Sequence, residues 1–325
     1  FHRFFADRTC KSSCLLPAGQ LHAGCKDIVS STKLQIINSS RTAVEVCCPQ
    51  SDDIVTRLQQ DLLSLGCIID IHPDQSILLC RTATPERMDG KNVLDYFNGR
   101  ISAEIRLPEA IERKLLCPFQ YFGVSDDVDL STIRWTRGGY DKNELSNIFS
   151  LNRAVAEKRA GHIVNSLHRY VTDMNNVHGL GFCVSVEHAK FMEEFFLSKG
   201  IPCMALTGSS GDAERSNARD RLVSGKIKFI FVVDLYNEGI DIPEVDTILF
   251  LRPTESLTVF LQQLGRGLRL SEGKECLTVL DFIGQANKKY NFEEKFAALL
   301  SHNNHSMQYE VKKGFVSLPK GCYIQ

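Results

Sequence analysis

From Gly179 onward, short runs of consecutive apolar residues alternate with longer stretches in which apolar residues recur every three or four positions. The runs are "GFCVSV", "PCMAL", "KFIFVV", "VDTILFL" and "ECLTVLDF". Continuous apolarity over so few positions predicts strands buried on both faces. Between them, "VEHAKFMEEFFLSKG", "GDAERSNARDRLVSG", "SLTVFLQQLGRGL" and "QANKKYNFEEKFAALL" carry helical spacing, with Gly200 and Gly225 as stops and Ser256 as an opening cap. Strand and helix in alternation imply an α/β domain whose parallel sheet is covered by helices on both faces. In such folds ligands sit beyond the carboxyl ends of the strands.

Upstream the pattern is less regular. "ISAEIRL" and "PFQYFGV" predict short strands around a helix "PEAIERKLL", while "DKNELSNIF" and "LNRAVAEKRAGHIVNSLHRYVTD" predict helices. Between Ala43 and Cys80 the order is strand ("AVEVCC"), helix ("DDIVTRLQQDLLSLG") and two strands ("CIIDIH", "SILLC"), a partial α/β segment.

A length of 325 residues allows two domains with a partial third, and 43% hydrophobic with 24% charged residues is the balance of a globular chain. The net charge of −1 excludes a basic coat protein, so a nucleic-acid partner would be held by placed groups rather than by bulk charge. No apolar stretch has the length of a membrane helix, and Arg3, Asp7 and Arg8 stand where a signal peptide would be apolar. The expectation is a cytosolic protein without a membrane partner. Phe1 is not Met and Gln325 closes no recognisable tail, so both ends are read as cuts.

Seven of the twelve cysteines lie in the first 80 residues. In a reducing compartment they should be free thiols. Cys10, Cys14, His22 and Cys25 lack the close Cys-x-x-Cys knuckle of a zinc site, and no metal site is assigned.

Chemistry gathers in two places. The segment after "KFIFVV" reads Asp234-Leu235-Tyr236-Asn237-Glu238-Gly239-Ile240-Asp241-Ile242-Pro243. Its Gly between acids suits a tight backbone path, and Asp241 could accept from ribose hydroxyls or orient a cation; a solvated turn with a capping Asp is the other reading. The helix opened by Ser256 then carries Gln262, Gly265, Arg266 and Arg269. Helical spacing puts 262, 266 and 269 on one face, where two guanidinium forks could converge on phosphate oxygens. The other reading is a basic surface pairing with Glu272 and Glu275.

These residues carry a resemblance. "VVDLYNEGIDIPEVDTILFLRPTES" and "QQLGRGLR" resemble motifs V and VI of superfamily 2 helicases, the DEAD/DEAH-box and type III restriction-like group. "GFCVSVEHAKFMEEFF" resembles their motif IV, and "TATPERMDG" at Thr82 to Gly90 their motif III. The tail "GFVSLPKGCYIQ" resembles the segment C-terminal to the motor in a bacterial subgroup often fused to a phospholipase D-like module, of which residues 43–80 resemble half without its His-x-Lys signature.

The resemblance implies a RecA-like C-terminal helicase lobe over 151–300. It implies a degenerate or truncated segment over 1–80, a motif III remnant and connector over 81–150, and the start of an extension over 301–325. It implies that Arg266 and Arg269 meet the ATP phosphates, Arg269 as arginine finger, with Gln262 placing the γ-phosphate or the attacking water. Glu238, Gly239, Asp241 and Gly265 would belong to the nucleotide-sensing loop and helix. Ser185, Thr207, Gly208 and Ser209 would hold strand phosphates, although Ser185 reads equally as a helix cap. Thr82 and Thr84 would link hydrolysis to lobe movement.

The departure is as informative. Residues 1–81 contain no G-x-x-x-x-G-K-[ST] loop and no Asp-Glu box for magnesium. ATP with Mg2+ is therefore expected in a complete motor with a first RecA-like lobe, and no tight cofactor binding is expected of this chain alone. Nucleic acid is the expected partner, DNA ahead of RNA. The alternative is a non-catalytic remnant that binds nucleic acid or another subunit. A Rossmann-type oxidoreductase fails for want of a G-x-G-x-x-G between strand and helix.

Overall fold

The computed structural model describes residues 42–47, 68–72, 77–82, 105–136, 139–233, 242–254, 256–285, 292–301 and 305–325. The chain divides into two compact units, Phe1–Ala110 and Ile111–Gln325. The first contributes β1 (Thr42–Cys47), β2 (Ile68–His72) and β3 (Ile77–Thr82). Their order is β1-β3-β2 and both pairings are antiparallel, so this sheet is not built as a parallel α/β unit. The helix expected between β1 and β2 lies outside the described residues.

Helix α1 (Leu107–Glu112) leads into the second unit. There, β4 (Phe119–Asp129) is followed by a small hairpin of β5 (Trp135–Thr136) and β6 (Gly139–Tyr140). Helix α2 (Lys142–Ser146), capped by the Asp141 carboxylate, runs into a π-helical turn over Asn147–Leu151 and then α3 (Arg153–Tyr170). The alternating region gives β7 (Gly179–Phe182), α4 (Val186–Ser198), β8 (Cys203–Leu206), α5 (Asp212–Val223) and β9 (Phe229–Val232). It continues with β10 (Thr247–Phe250), α6 (Leu257–Gly267), β11 (Leu277–Gln285), α7 (Phe292–Ala297), α8 (Met307–Lys313) and β12 (Tyr323–Ile324).

Seven of these strands form one sheet in the order β12-β4-β11-β10-β7-β9-β8, every neighbour parallel. This is the expected α/β, RecA-like architecture. The sheet is wider than 151–300, because β4 comes from the segment read as a connector and β12 from the tail.

All residues of β7, β9 and β10 are buried, which is why they read as unbroken apolar runs. One face packs Phe229, Phe231, Leu249, Leu251, Leu280 and Phe282 against α3 and α4. On the other, Phe250 meets Phe260 of α6 at 5.4 Å between ring centroids. The aromatics explain the glycines of β7: a Cβ on Gly179 would lie 2.2 Å from the Phe229 ring, and one on Gly181 2.5 Å from the Phe231 ring. Only a strand without side chains there lets both rings lie across it.

A smaller cluster sits beyond the carboxyl ends. Val128, Leu130, Ile133, Tyr140, Leu145 and Phe149 pack with Val184, which follows β7. Beside it, Arg159 of α3 enters the interior, forms an ion pair with Asp126, donates to the Leu251 carbonyl at 3.1 Å and lies 4.0 Å above the Phe149 ring.

Candidate functional site

The described candidate residues of the lobe lie at the two ends of the parallel strands, and α6 spans the distance between them. It starts at Ser256, just past the carboxyl end of β10, where the Ser256 hydroxyl accepts from the Val259 N–H at 3.4 Å. Eleven residues later, about 16 Å along at 1.5 Å per residue, it ends at Gly267 beside the amino ends of the strands. A Cβ on Gly267 would lie 2.4 Å from Leu277 Cδ1 and 2.9 Å from Ile248 Cδ1. The second glycine of "GRG" thus lets the last turn press onto the start of β10 and β11.

Two groups fasten that end. The Cys117 N–H, two residues before β4, donates to the Leu268 carbonyl at 2.9 Å. The Lys274 ammonium donates to the carbonyls of Gly267 and Arg269 at 2.5 and 2.9 Å, and to that of Pro243 at 3.1 Å. Burial pushes the Cys117 thiol up and the Lys274 ammonium down from their ordinary values.

On this frame Gln262, Gly265 and Arg266 lie on α6, Gln262 exposed and Arg266 partly so. Arg269 does not share their helical face. The helix stops at Gly267 with Leu268 as its cap, so Arg269 lies in the turn beyond, partly exposed. Helical spacing therefore aligns 262 with 266, and the fastened turn places 269.

The other candidate set occupies the opposite edge. Ser185 follows β7 and caps α4: its hydroxyl accepts from the His188 N–H at 3.1 Å and shares a 2.6 Å hydrogen bond with Ser146. The Glu187 backbone N–H and the Ser185 hydroxyl hold the Glu187 carboxyl below its ordinary value, so this helix start already has an anion. Of the two readings of Ser185, the cap is formed. Thr207, Gly208 and Ser209 follow β8; the Thr207 and Ser209 hydroxyls are 2.8 Å apart, and the Thr207 N–H donates to the Ser210 hydroxyl at 3.3 Å. A cleft of about 440 Å3 at the carboxyl-terminal halves of β4 and β11 is lined by Ser125, Asp126, Asp127, Lys158, Ile283 and Gly284. Its acids do not suit a polyanion.

Glu238, Gly239, Asp241 and Thr84 lie outside the described residues, and Thr82 ends β3 opposite Thr42. The structure thus brings Gln262, Gly265 and Arg266 onto one helix with Arg269 just past it, and leaves Ser185 and Thr207–Ser209 at the far edge. Among the described residues no group of three His, Cys, Asp or Glu side chains could hold a metal ion. No described helix is long and apolar enough to cross a membrane.

Comparison with known proteins identifies one domain. Residues 162–271, from within α3 to just past Arg269, match the helicase conserved C-terminal domain. This part of the chain carries a helicase C-terminal domain. It is similar to IRC3 of Saccharomyces cerevisiae, whose name is that of an ATP-dependent helicase, at 27% identity over 63% of this chain and 29% of the relative. It is similar to the EcoAI type I restriction enzyme endonuclease subunit of Escherichia coli at 26% identity over 62% and 27%. The ATP-dependent RNA helicase SrmB of Haemophilus influenzae matches over a shorter span, 28% identity over 33% of this chain and 25% of SrmB. The chain thus spans well under half the length of these relatives.

Three features of this lobe stand outside the candidates drawn from the sequence. Arg159 had a signal, a charge three positions after Ala156 on the apolar face of α3. His188, fully buried on α4, had a similar one. Lys274 had none, since it stands in a polar turn.

Proposed function

We propose that this lobe is the second half of an ATP-dependent nucleic-acid translocase. In the complete motor a first RecA-like lobe grips ATP and its Mg2+, and Arg266 and Arg269 meet the phosphates from this side. The observation that carries the reading is the fastened end of α6, which holds two arginines at the amino edge of the sheet in one short stretch of chain. Guanidinium forks suit the charge that develops on a transferred phosphoryl group, and a rigid backbone lets them act without reorganisation. Gln262 would place the γ-phosphate or the attacking water, and Glu238, Gly239 and Asp241 would report nucleotide state to the strand. Thr82 and Thr84 would pass hydrolysis on to lobe movement. The strand would lie along the carboxyl edge, over the amides and hydroxyls of Ser185 and Thr207–Ser209.

DNA is the favoured track, because the match to the EcoAI restriction-enzyme subunit covers 62% of this chain while those to three RNA helicases cover 25% to 43%. The test is ATP turnover by the complete motor with double-stranded DNA, single-stranded DNA and RNA of one sequence. DNA-stimulated turnover is expected. Stimulation by RNA alone would reverse the choice of track, and no turnover with any of the three would favour a non-catalytic binding lobe.

A further inference from the structure

Lys274 lies three residues beyond the segment matched to the helicase domain, in the turn that Gly273 makes possible with its φ of 78°. An ammonium has three donors, and at Lys274 three main-chain carbonyls lie within reach, those of Gly267, Arg269 and Pro243. Two of these belong to the end of a helix, where carbonyls lack intrahelical partners and the helix dipole is negative. The Arg269 acceptor is the carbonyl of the arginine-finger candidate itself. The third, Pro243, stands two positions after the Glu238–Asp241 segment in sequence.

A cation spent on main-chain carbonyls does not contact nucleotide. What it does is fix the backbone from which Arg269 projects and tie that backbone to the chain just beyond the nucleotide-sensing segment. The Cys117 N–H on Leu268 pins the intervening residue from another direction. With Gly267 flush against Ile248 and Leu277, the turn has little room to shift while Lys274 is in place.

We propose that Lys274 is a positioning residue for phosphoryl transfer, acting through Arg269 by holding its main chain at a fixed place relative to Pro243. This rests on the motor reading above. A misplacement of about 1 Å at a reacting group can cost ~10²-fold in rate, so Lys274→Met should lower turnover by about that factor while leaving ATP affinity unchanged. Because the effect passes through Arg269, it should vanish where that guanidinium is absent.

The experiment is a double-mutant cycle in the complete motor: wild type, Lys274→Met, Arg269→Ala and the pair, with turnover per folded enzyme and nucleotide affinity measured for each. The expected result is a large loss in each single variant and no further loss in the pair. A merely structural lysine gives additive losses and a changed affinity, which overturns the proposal. If Arg269→Ala collapses turnover and Lys274→Met does not, the proposal falls and the motor reading stands. If Arg269→Ala keeps wild-type turnover, both fall. Should the Met variant not fold, Lys274→Arg carries the same cycle, since it keeps the charge but not three donors on one nitrogen. It should lose turnover alone and nothing more beside Arg269→Ala; full turnover in Lys274→Arg would overturn the proposal.

Discussion

Arg159 Nε and Asp126 Oδ2 lie 2.6 Å apart, with side chains 3% and 4% exposed. Two charges at that depth are stable only as a pair, because each alone would carry the full cost of leaving water. Arg159→Met should therefore destabilise the lobe by about 3–5 kcal/mol, mostly through the stranded carboxylate. Arg159→Met combined with Asp126→Leu should recover much of that loss. Urea unfolding of the wild type and the two variants checks it; a double variant as weak as the single one would show that the Leu251 carbonyl, not Asp126, is the partner that matters.

The glycines of the lobe separate by sign. Gly181→Ala would drive a methyl group to 2.5 Å from the Phe231 ring, which is itself wedged against Phe196 at 4.9 Å. Overpacking of that kind costs about 1–3 kcal/mol. Gly161 lies within α3 with nothing within 4 Å of its would-be Cβ, so Gly161→Ala should stabilise by about 0.5–1 kcal/mol through helix propensity. Melting temperatures should move in opposite directions, and a shift of the same sign for both would contradict the packing of Phe231 across β7.

Two histidines should shape the pH dependence in separate windows. His188 is fully buried, accepts from the Val184 N–H at 3.3 Å through Nδ1, and is held well below its ordinary pKa by burial and by the Arg159 charge. A depressed folded pKa means that the unfolded chain takes up the proton first. Stability is then complete above the unfolded value of about 6.5 and falls as the pH drops below it, by up to ~1.4 kcal/mol per unit. His178 behaves oppositely: its hydrogen bond to Asp246 raises its pKa, so its contribution is complete below about 6.5 and fades as the pH rises through the folded value. Stability measured from pH 8 to 5 should lose its acid-side slope in His188→Asn and its alkaline-side slope in His178→Asn.

The parts of this fold visible in the sequence are those for which burial is uniform. β7, β9 and β10 have both faces covered, so every position but Thr247 is apolar or glycine and the run cannot be missed. β5, β6 and β12 are two residues each and leave no period to detect. The antiparallel pairing of β1, β2 and β3 was hidden for another reason, since strand order is set by contacts distant in sequence. At the candidate site, residue types and spacing pointed to the arginines and the family resemblance to the hydroxyls, while the end of α6 at Gly267 depended on close approach to Ile248 and Leu277. That contact decides where Arg269 stands, and no local pattern encodes it.

The two edges of the sheet should be functionally separable. Arg269 and Arg266 stand near the amino ends of the strands, Thr207 and Ser209 beyond the carboxyl ends, with the length of α6 between them. In the complete motor, Arg269→Ala should collapse turnover by about 10³ to 10⁵, the range for arginine fingers, and Arg266→Ala should act in the same direction. Both should leave DNA affinity and melting temperature nearly unchanged, and Lys at position 269 should rescue little because it lacks the planar fork. Thr207→Ala with Ser209→Ala removes neutral hydroxyl donors worth about 1 kcal/mol each, so DNA affinity should fall by roughly thirtyfold while turnover at saturating DNA survives. Equilibrium DNA binding and saturating-DNA turnover on the same preparations give both quantities. If the arginine variants weaken DNA binding as much as turnover, or the hydroxyl variants abolish turnover at saturation, then the two sets do not serve different ligands, and the assignment of nucleotide to one edge and strand to the other is wrong.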